Sequence, residues 1–274
     1  MTLEKMNEKP IARIAHVKSH IDGFEEGNFY SLINNVVNNT GSVTNSMRLL
    51  SSYCTAKAVY AWFVEKDIVS VQNYFFATSL FFIRALSIEE ERKANGINFQ
   101  FLLPSLISKK TTVVKWYANN IDQYFFPDRI ASHKSIDFWT YIPYVAIRGD
   151  WSTLKKLCNI VINDPPNNNF INKHFYHYFF YKALAESDFS GMQKIIDDML
   201  INKYLKKAAS YEGGFTADLI CTPLLVLLNI AKLHGFSLKI DTPLVPLEWV
   251  YCAKLNHYSL PFDFMNNWVD ELNL

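Results

Sequence analysis

Two histidine pairs are the residues of this sequence whose spacing comes nearest to chemistry. His16 and His20 lie four positions apart and His174 and His177 three, so each pair can face one way on a helix, as zinc ligands do. Neither pair carries the Glu of an HExxH motif, and Asp22, just after His20, is the nearest further acid; a closed zinc site needs three or four ligands. His174 and His177 also belong to the aromatic run Phe175-Tyr176-His177-Tyr178-Phe179-Phe180, where hydrogen-bonded core or interface histidines are ordinary. Asp197-Asp198 on an apolar helix is the kind of pair that holds magnesium diphosphate, but that chemistry needs another acid a turn later. Here the position is Ile201, followed by Lys203, Lys206 and Lys207, so the pair is expected to be a solvated face interacting with those lysines. Glu89-Glu90-Glu91 is expected to be a solvated helix terminus. Cys54, Cys158, Cys221 and Cys252 form no CxxC and read as small buried hydrophobes in a reducing compartment. GxSxG, P-loop and GxGxxG motifs are absent. The expectation is a protein that is not an enzyme, with no catalytic residue, no metal and no cofactor.

Composition narrows the partners. The chain has 274 residues, 27 Lys+Arg against 26 Asp+Glu, and is half hydrophobic, far from the composition of disordered chains. A net charge of +1 offers no large basic face for nucleic acid. No apolar run reaches the roughly 20 residues that span a bilayer, and the charged stretch from Met1 to Ile21 lacks the core of a signal peptide. A soluble cytoplasmic protein with neither nucleic-acid nor membrane partner is expected. Charge is unevenly laid out: from Ile240 onward there are five acids (Asp241, Glu248, Asp263, Asp270, Glu271) against Lys254 alone. Such an acidic end suits a basic cleft on a partner through steering and complementarity, and these five residues are the partner-binding candidates. The aromatic share of 15% adds Tyr and Trp, which favour surfaces with one wet edge, partner interfaces among them.

The elements that must position these residues repeat. Apolar residues recur at helical spacing between Ser52 and Leu86 (Ala56, Val59, Tyr60, Phe63, then Val71, Phe75, Thr78, Phe82), and no comparable run alternates at period two. Glu65-Lys66-Asp67-Ile68 interrupts that pattern, as Arg148-Gly149-Asp150-Trp151 and Glu186-Ser187-Asp188-Phe189 do further on. Aligned on the aspartate, each unit has an apolar residue one position after it, a second four after (Val71, Leu154, Met192), and one four before (Phe63, Ala146, Leu184). The reading is an antiparallel helix pair in which the carboxylate of Asp67, Asp150 or Asp188 caps the second helix and the next residue fills the crease. A fourth pair is expected from Leu219 to Leu233, stopped by His234-Gly235 with Gly235 in the left-handed position. A degenerate hairpin fits the 83 residues between Asp67 and Asp150. Extended connectors are expected at Asn95 to Asn98, Pro127 to Lys134, Asp164 to Asn169 and Tyr211 to Thr216. The fold class expected is all-α: stacked antiparallel hairpins, as a tetratricopeptide-like irregular α-solenoid or a compact helical bundle, in one domain over 1–274.

Two stretches carry a family resemblance. Ser52 through Asp67 (Ser-Tyr-Cys-Thr-Ala-Lys-Ala-Val-Tyr-Ala-Trp-Phe-Val-Glu-Lys-Asp) resembles the paired-helix segment of the bacterial immunity protein family numbered forty-nine. Pro223 through Phe236, followed by Asp241-Thr242-Pro243-Leu244-Val245-Pro246, resembles that family's closing helix and its Asp-x-Pro-x-x-Pro turn. The similarity runs in patches over 50–250, and residues 1–45 fall outside it as an N-terminal helical extension. The resemblance implies a helical protein encoded beside a polymorphic toxin, which binds that toxin one to one and protects the producing cell; it supplies no catalytic residues. Two other classes remain open at this point, a helical-repeat adaptor for protein partners and an all-α metal-dependent enzyme.

Overall fold

The computed structural model describes residues 8–27, 29–88, 99–167, 174–201, 204–209 and 212–274, and among them the chain is all-α, with no strand. Helices α1 (Glu8–Glu26) and α2 (Phe29–Val37) pack on α3 (Val43–Tyr60), with Val17 and Ile21 in the common core, so the N-terminal segment is part of the body. A π-helical turn, Ala61–Glu65, ends α3; α4 (Ile68–Ile88) returns antiparallel along it. Then follow α5 (Phe99–Ser108), α6 (Thr111–Asn120) and the short α7 (Pro127–Ala131). The segment from Pro127, expected as an extended connector, therefore begins with a helix, because proline at its first position fixes the helical φ.

The second and third hairpins are α8 (Ile136–Arg148) with α9 (Trp151–Asn163), and α10 (Phe175–Ala185) with α11 (Phe189–Ile201); α9 also packs on α10. All three aspartate turns share one construction. A residue in the left-handed region precedes the aspartate: Lys66 at φ 58°, Gly149 at 73° and Ser187 at 55°. The carboxylate then takes the orphan amides of the next helix. Asp67 Oδ1 accepts from Val69 N and Ser70 N at 3.0 and 3.1 Å, Asp150 Oδ1 from Thr153 N at 3.1 Å, and Asp188 Oδ1 from Gly191 N at 2.8 Å. The side chains four positions on, Val71, Leu154 and Met192, are fully buried. The crease position does not repeat: Ile68 and Trp151 are half-buried, whereas Phe189 is 45% exposed.

After α12 (Tyr204–Ala208) comes α13 (Thr222–Leu233), and it corrects the fourth hairpin: the segment is one helix with no antiparallel mate of its own. Every residue from Thr222 to Ala231 is buried, as an all-round apolar helix requires, and α13 touches α5, α8 and α10. Gly235 closes it at φ 89°, with Phe236 N donating to Ala231 O at 2.9 Å. The chain ends with α14 (Glu248–Tyr251) and α15 (Met265–Glu271), the latter lying on α4 with Trp268 edge-on to Phe81 at 5.5 Å. Tyr258 Oη reaches back to Ser108 O at 2.7 Å and Gln72 Nε2 to Ala253 O at 3.0 Å. These returns tie the C-terminal segment to α4 and α5, and α13 also packs on α14. Pro104 and Pro143 are inside helices and Pro223 is in the first turn of α13. No described helix is long and apolar enough to cross a membrane.

Candidate functional site

A groove of about 550 Å³ lies where the first hairpin turn meets the segment after α13. Its making is local. The π turn inserts an extra residue per turn, and Trp62 and Phe63 are the side chains it places there, Trp62 half-buried and Phe63 buried. Across from them the segment Asp241–Pro246 is pinned by Cys221 N donating to Leu244 O at 2.7 Å and by Val245 N donating to Thr242 O at 3.2 Å. Gln193 holds the approach through a two-way amide bond with Lys239, Nε2 to the carbonyl at 2.9 Å and Oε1 from the amide at 2.8 Å. Trp249, wholly buried, anchors α14 against Trp62, Phe63 and Phe75 at ring distances of 6.4, 6.2 and 5.3 Å. With that residue fixed inward, its neighbours Leu247 and Glu248 are left exposed at the rim.

The groove therefore has a buried apolar floor of Phe63, Ile240 and Val245 and a charged rim of Lys66, Asp241 and Glu248. Lys66 lays its ammonium over the Trp62 ring at 5.3 Å and the Phe63 ring at 5.7 Å. Among the described residues, Asp241 and Glu248 make no ion pair and no side-chain hydrogen bond. Other acids of the chain are occupied: Glu271 by Arg84 at 3.0 Å, Asp137 by Arg129 at 2.9 Å, Glu186 by Lys155 at 2.8 Å. Of the five C-terminal acids, two thus share one groove. Asp263, Asp270 and Glu271 do not line it; Asp270 and Glu271 belong to α15, on α4. The turn that ends α3 and the segment from Ile240 to Glu248 supply opposite walls of this groove. Trp62 and Lys66 are missed as site residues by the sequence reading, since a Trp in an apolar run reads as core and a lysine before a cap reads as surface.

The histidine pairs behave differently from each other. His16 and His20 are exposed, with rings 4.5 Å apart and Phe215 at 5.1 Å from His20, beside a shallow recess with Phe24. His174 and His177 are buried; His177 Nε2 pairs with Tyr204 Oη at 2.6 Å, and Trp139 lies near both rings. Burial, with His174 adding to it, drives the His177 imidazole well below its ordinary pKa, so it is neutral. No group of three His, Cys, Asp or Glu that could hold a metal ion exists among the described residues. Asp197 accepts from Gln193 Nε2 at 2.9 Å, whereas Glu89-Glu90-Glu91, Lys203 and Asn95 to Asn98 lie outside the described residues. Burial pushes the thiols of Cys54, Cys158 and Cys221 far up, which removes the thiolate a nucleophile needs.

Two titratable groups sit deep beside α13. Glu212 caps its start, taking Thr222 N at 2.6 Å and Thr222 Oγ1 at 2.9 Å, and burial pushes its carboxyl up to about 7 against the pull of those bonds. Lys109 donates to Asn229 Oδ1 at 2.6 Å and Val250 O at 2.8 Å, and burial brings its ammonium down to about 8. Both are tied up in holding helices together. No family model, no curated protein and no solved structure matches the chain.

Proposed function

We propose that this chain is a non-catalytic immunity protein that binds a cognate bacterial protein toxin one to one and neutralises it by covering its active site. The observation that carries the reading is the groove: an apolar floor beside Trp62 with two rim carboxylates, Asp241 and Glu248, that make no ion pair and no side-chain hydrogen bond among the described residues. Interfaces draw affinity from a few buried aromatic anchors and specificity from the charges around them. An acidic rim on an apolar seat suits a basic, substrate-binding cleft. The family resemblance supplies the class of partner.

The test is co-expression with the product of the neighbouring gene. Rescued growth together with a one-to-one complex on size-exclusion chromatography supports the reading. Rescue with no complex overturns occlusion, and no rescue with no complex overturns the immunity reading. Association should slow as salt rises, because rim charges act chiefly on the on-rate.

A further inference from the structure

We infer that the groove is a seat for one basic side chain, an arginine presented by the protein partner, and that Lys66 keeps this seat in the free protein. The inference rests on the reading of the chain as a toxin-binding protein and names the chemistry of what it binds.

Lys66 marks the groove as a cation site. It stands at φ 58°, a conformation that costs an L-residue about 1 kcal/mol and that glycine or asparagine takes more readily. A helix C-terminus needs no lysine at that position, and among the described residues Lys66 makes no ion pair. What its side chain does is lie over Trp62 and Phe63, so the rings are already a cation site. The left-handed turn holds the stem of that lysine at the groove.

The charge around the site is then left over. Lys66 answers one of the two rim carboxylates in number and neither by contact, because Asp241 and Glu248 pair with nothing among the described residues. One more cation balances the rim. A guanidinium meets all three demands: its plane stacks on an indole, its fork binds a carboxylate at two points, and its weak hydration lowers the cost of leaving water. The volume of about 550 Å³ exceeds one side chain and leaves room for the backbone that carries it, with Leu247, 43% exposed, as an apolar shoulder. Lys66 swings into solvent when the arginine enters and recovers rotamer freedom. It competes for the same rings, which makes it a brake on binding.

The probe is a capped peptide, Gly-Gly-Gly-Arg-Gly-Gly-Gly, with the citrulline peptide as its neutral isostere. Binding is read from the tryptophan indole N–H signals in NMR titrations of the full chain. The arginine peptide should shift the Trp62 signal and the citrulline peptide should not. Lys66→Ala should tighten binding about threefold, and Asp241→Asn with Glu248→Gln should weaken it about tenfold, both from exposed positions that leave the fold intact. Trp62→Ala should abolish it, with circular dichroism checking that the chain still folds. Equal binding of the citrulline peptide, an unmoved Trp62 signal, or weaker binding by Lys66→Ala overturns the inference. If those failures occur while the toxin complex still forms and growth is rescued, the functional reading stands and only the arginine seat falls; if the complex itself is absent, the functional reading falls.

Discussion

Lys66 and Lys109 share one backbone conformation, φ 58° and 57°, each at the end of one helix and just before the next. Lys66 is exposed and rests on two rings; Lys109 is sunk between α13 and α14 and makes two hydrogen bonds. One carboxylate from each region differs in the same way. Asp67 caps α4 from the adjacent position, and Ser70, through its hydroxyl and then its amide, holds the carboxyl below its ordinary range. Glu212 caps α13 from ten residues away, and there burial outweighs the hydrogen bonds and pushes the carboxyl up. At the rim, water solvates charge and hydrogen bonds decide; at the centre, desolvation decides. Charges at the centre are consumed by the fold, whereas those at the rim remain available to a partner.

The largest expected effect lies at the centre. Lys109→Ala removes the donor shared by Asn229 and the Val250 carbonyl, and at ~2 kcal/mol per hydrogen bond to a charged group it should cost about 4 kcal/mol. Lys109→Gly should recover about 1 kcal/mol of that, since it relieves the left-handed strain without restoring a bond. Urea titration measures both, and a loss at Lys109 no larger than one at Lys66 would break the contrast.

Glu212→Gln comes next and is read by pH. An acid whose folded pKa is raised keeps in the native state a proton that the unfolded chain has released, so stability falls as pH rises between the two values. For Glu212 that window runs from 4.5 to about 7 and amounts to about 3 kcal/mol at ~1.4 kcal/mol per pH unit. Lys9, Asp218 and Cys221 line the same recess, and Arg13 pairs with Asp218 at 3.6 Å. Burial of His177 acts the other way below its ordinary pKa, since its imidazole charges only on unfolding, so Glu212 is read from the difference: from pH 5 to pH 8 wild type should lose stability relative to Glu212→Gln, which still accepts from Thr222. A difference between the two that does not change with pH would show that desolvation does not govern Glu212.

These two regions differ equally in how far the sequence reveals them. The capped turns at Asp67, Asp150 and Asp188 are legible because a cap and the amides it serves lie within three residues. The centre is illegible for the opposite reason: Lys109 and its acceptor Asn229 are 120 positions apart. The apolar run that becomes α13 carries helical period but no sign that it stands alone, so a hairpin is the natural and mistaken expectation there. For the groove, Asp241 and Glu248 can be picked from composition, yet composition alone cannot separate them from Asp263, Asp270 and Glu271. The separating fact is tertiary: Trp249 turned inward, and Arg84 taken by Glu271. Trp62 stays hidden because helical spacing does not say that a π turn will bring it to an edge.

Asp67→Ala should cost about 1 kcal/mol, the usual value of a local cap, measured as a lower urea midpoint. It would sharpen the contrast by showing how little the rim turn owes to its charges.

The smallest stability effect is expected at Lys66→Gly, and it is the most informative for function. Removing the side chain forfeits a cation–ring contact worth ~0.5–1 kcal/mol at an exposed site, while glycine relieves about 1 kcal/mol of left-handed strain. The two nearly cancel, so the urea midpoint should move by less than about 0.5 kcal/mol. If Lys66 serves the fold as Lys109 does, the substitution will destabilise by several times that amount. A near-zero change shows that the contact over Trp62 returns no more than the strain of holding it costs, as expected of a side chain that waits to be displaced.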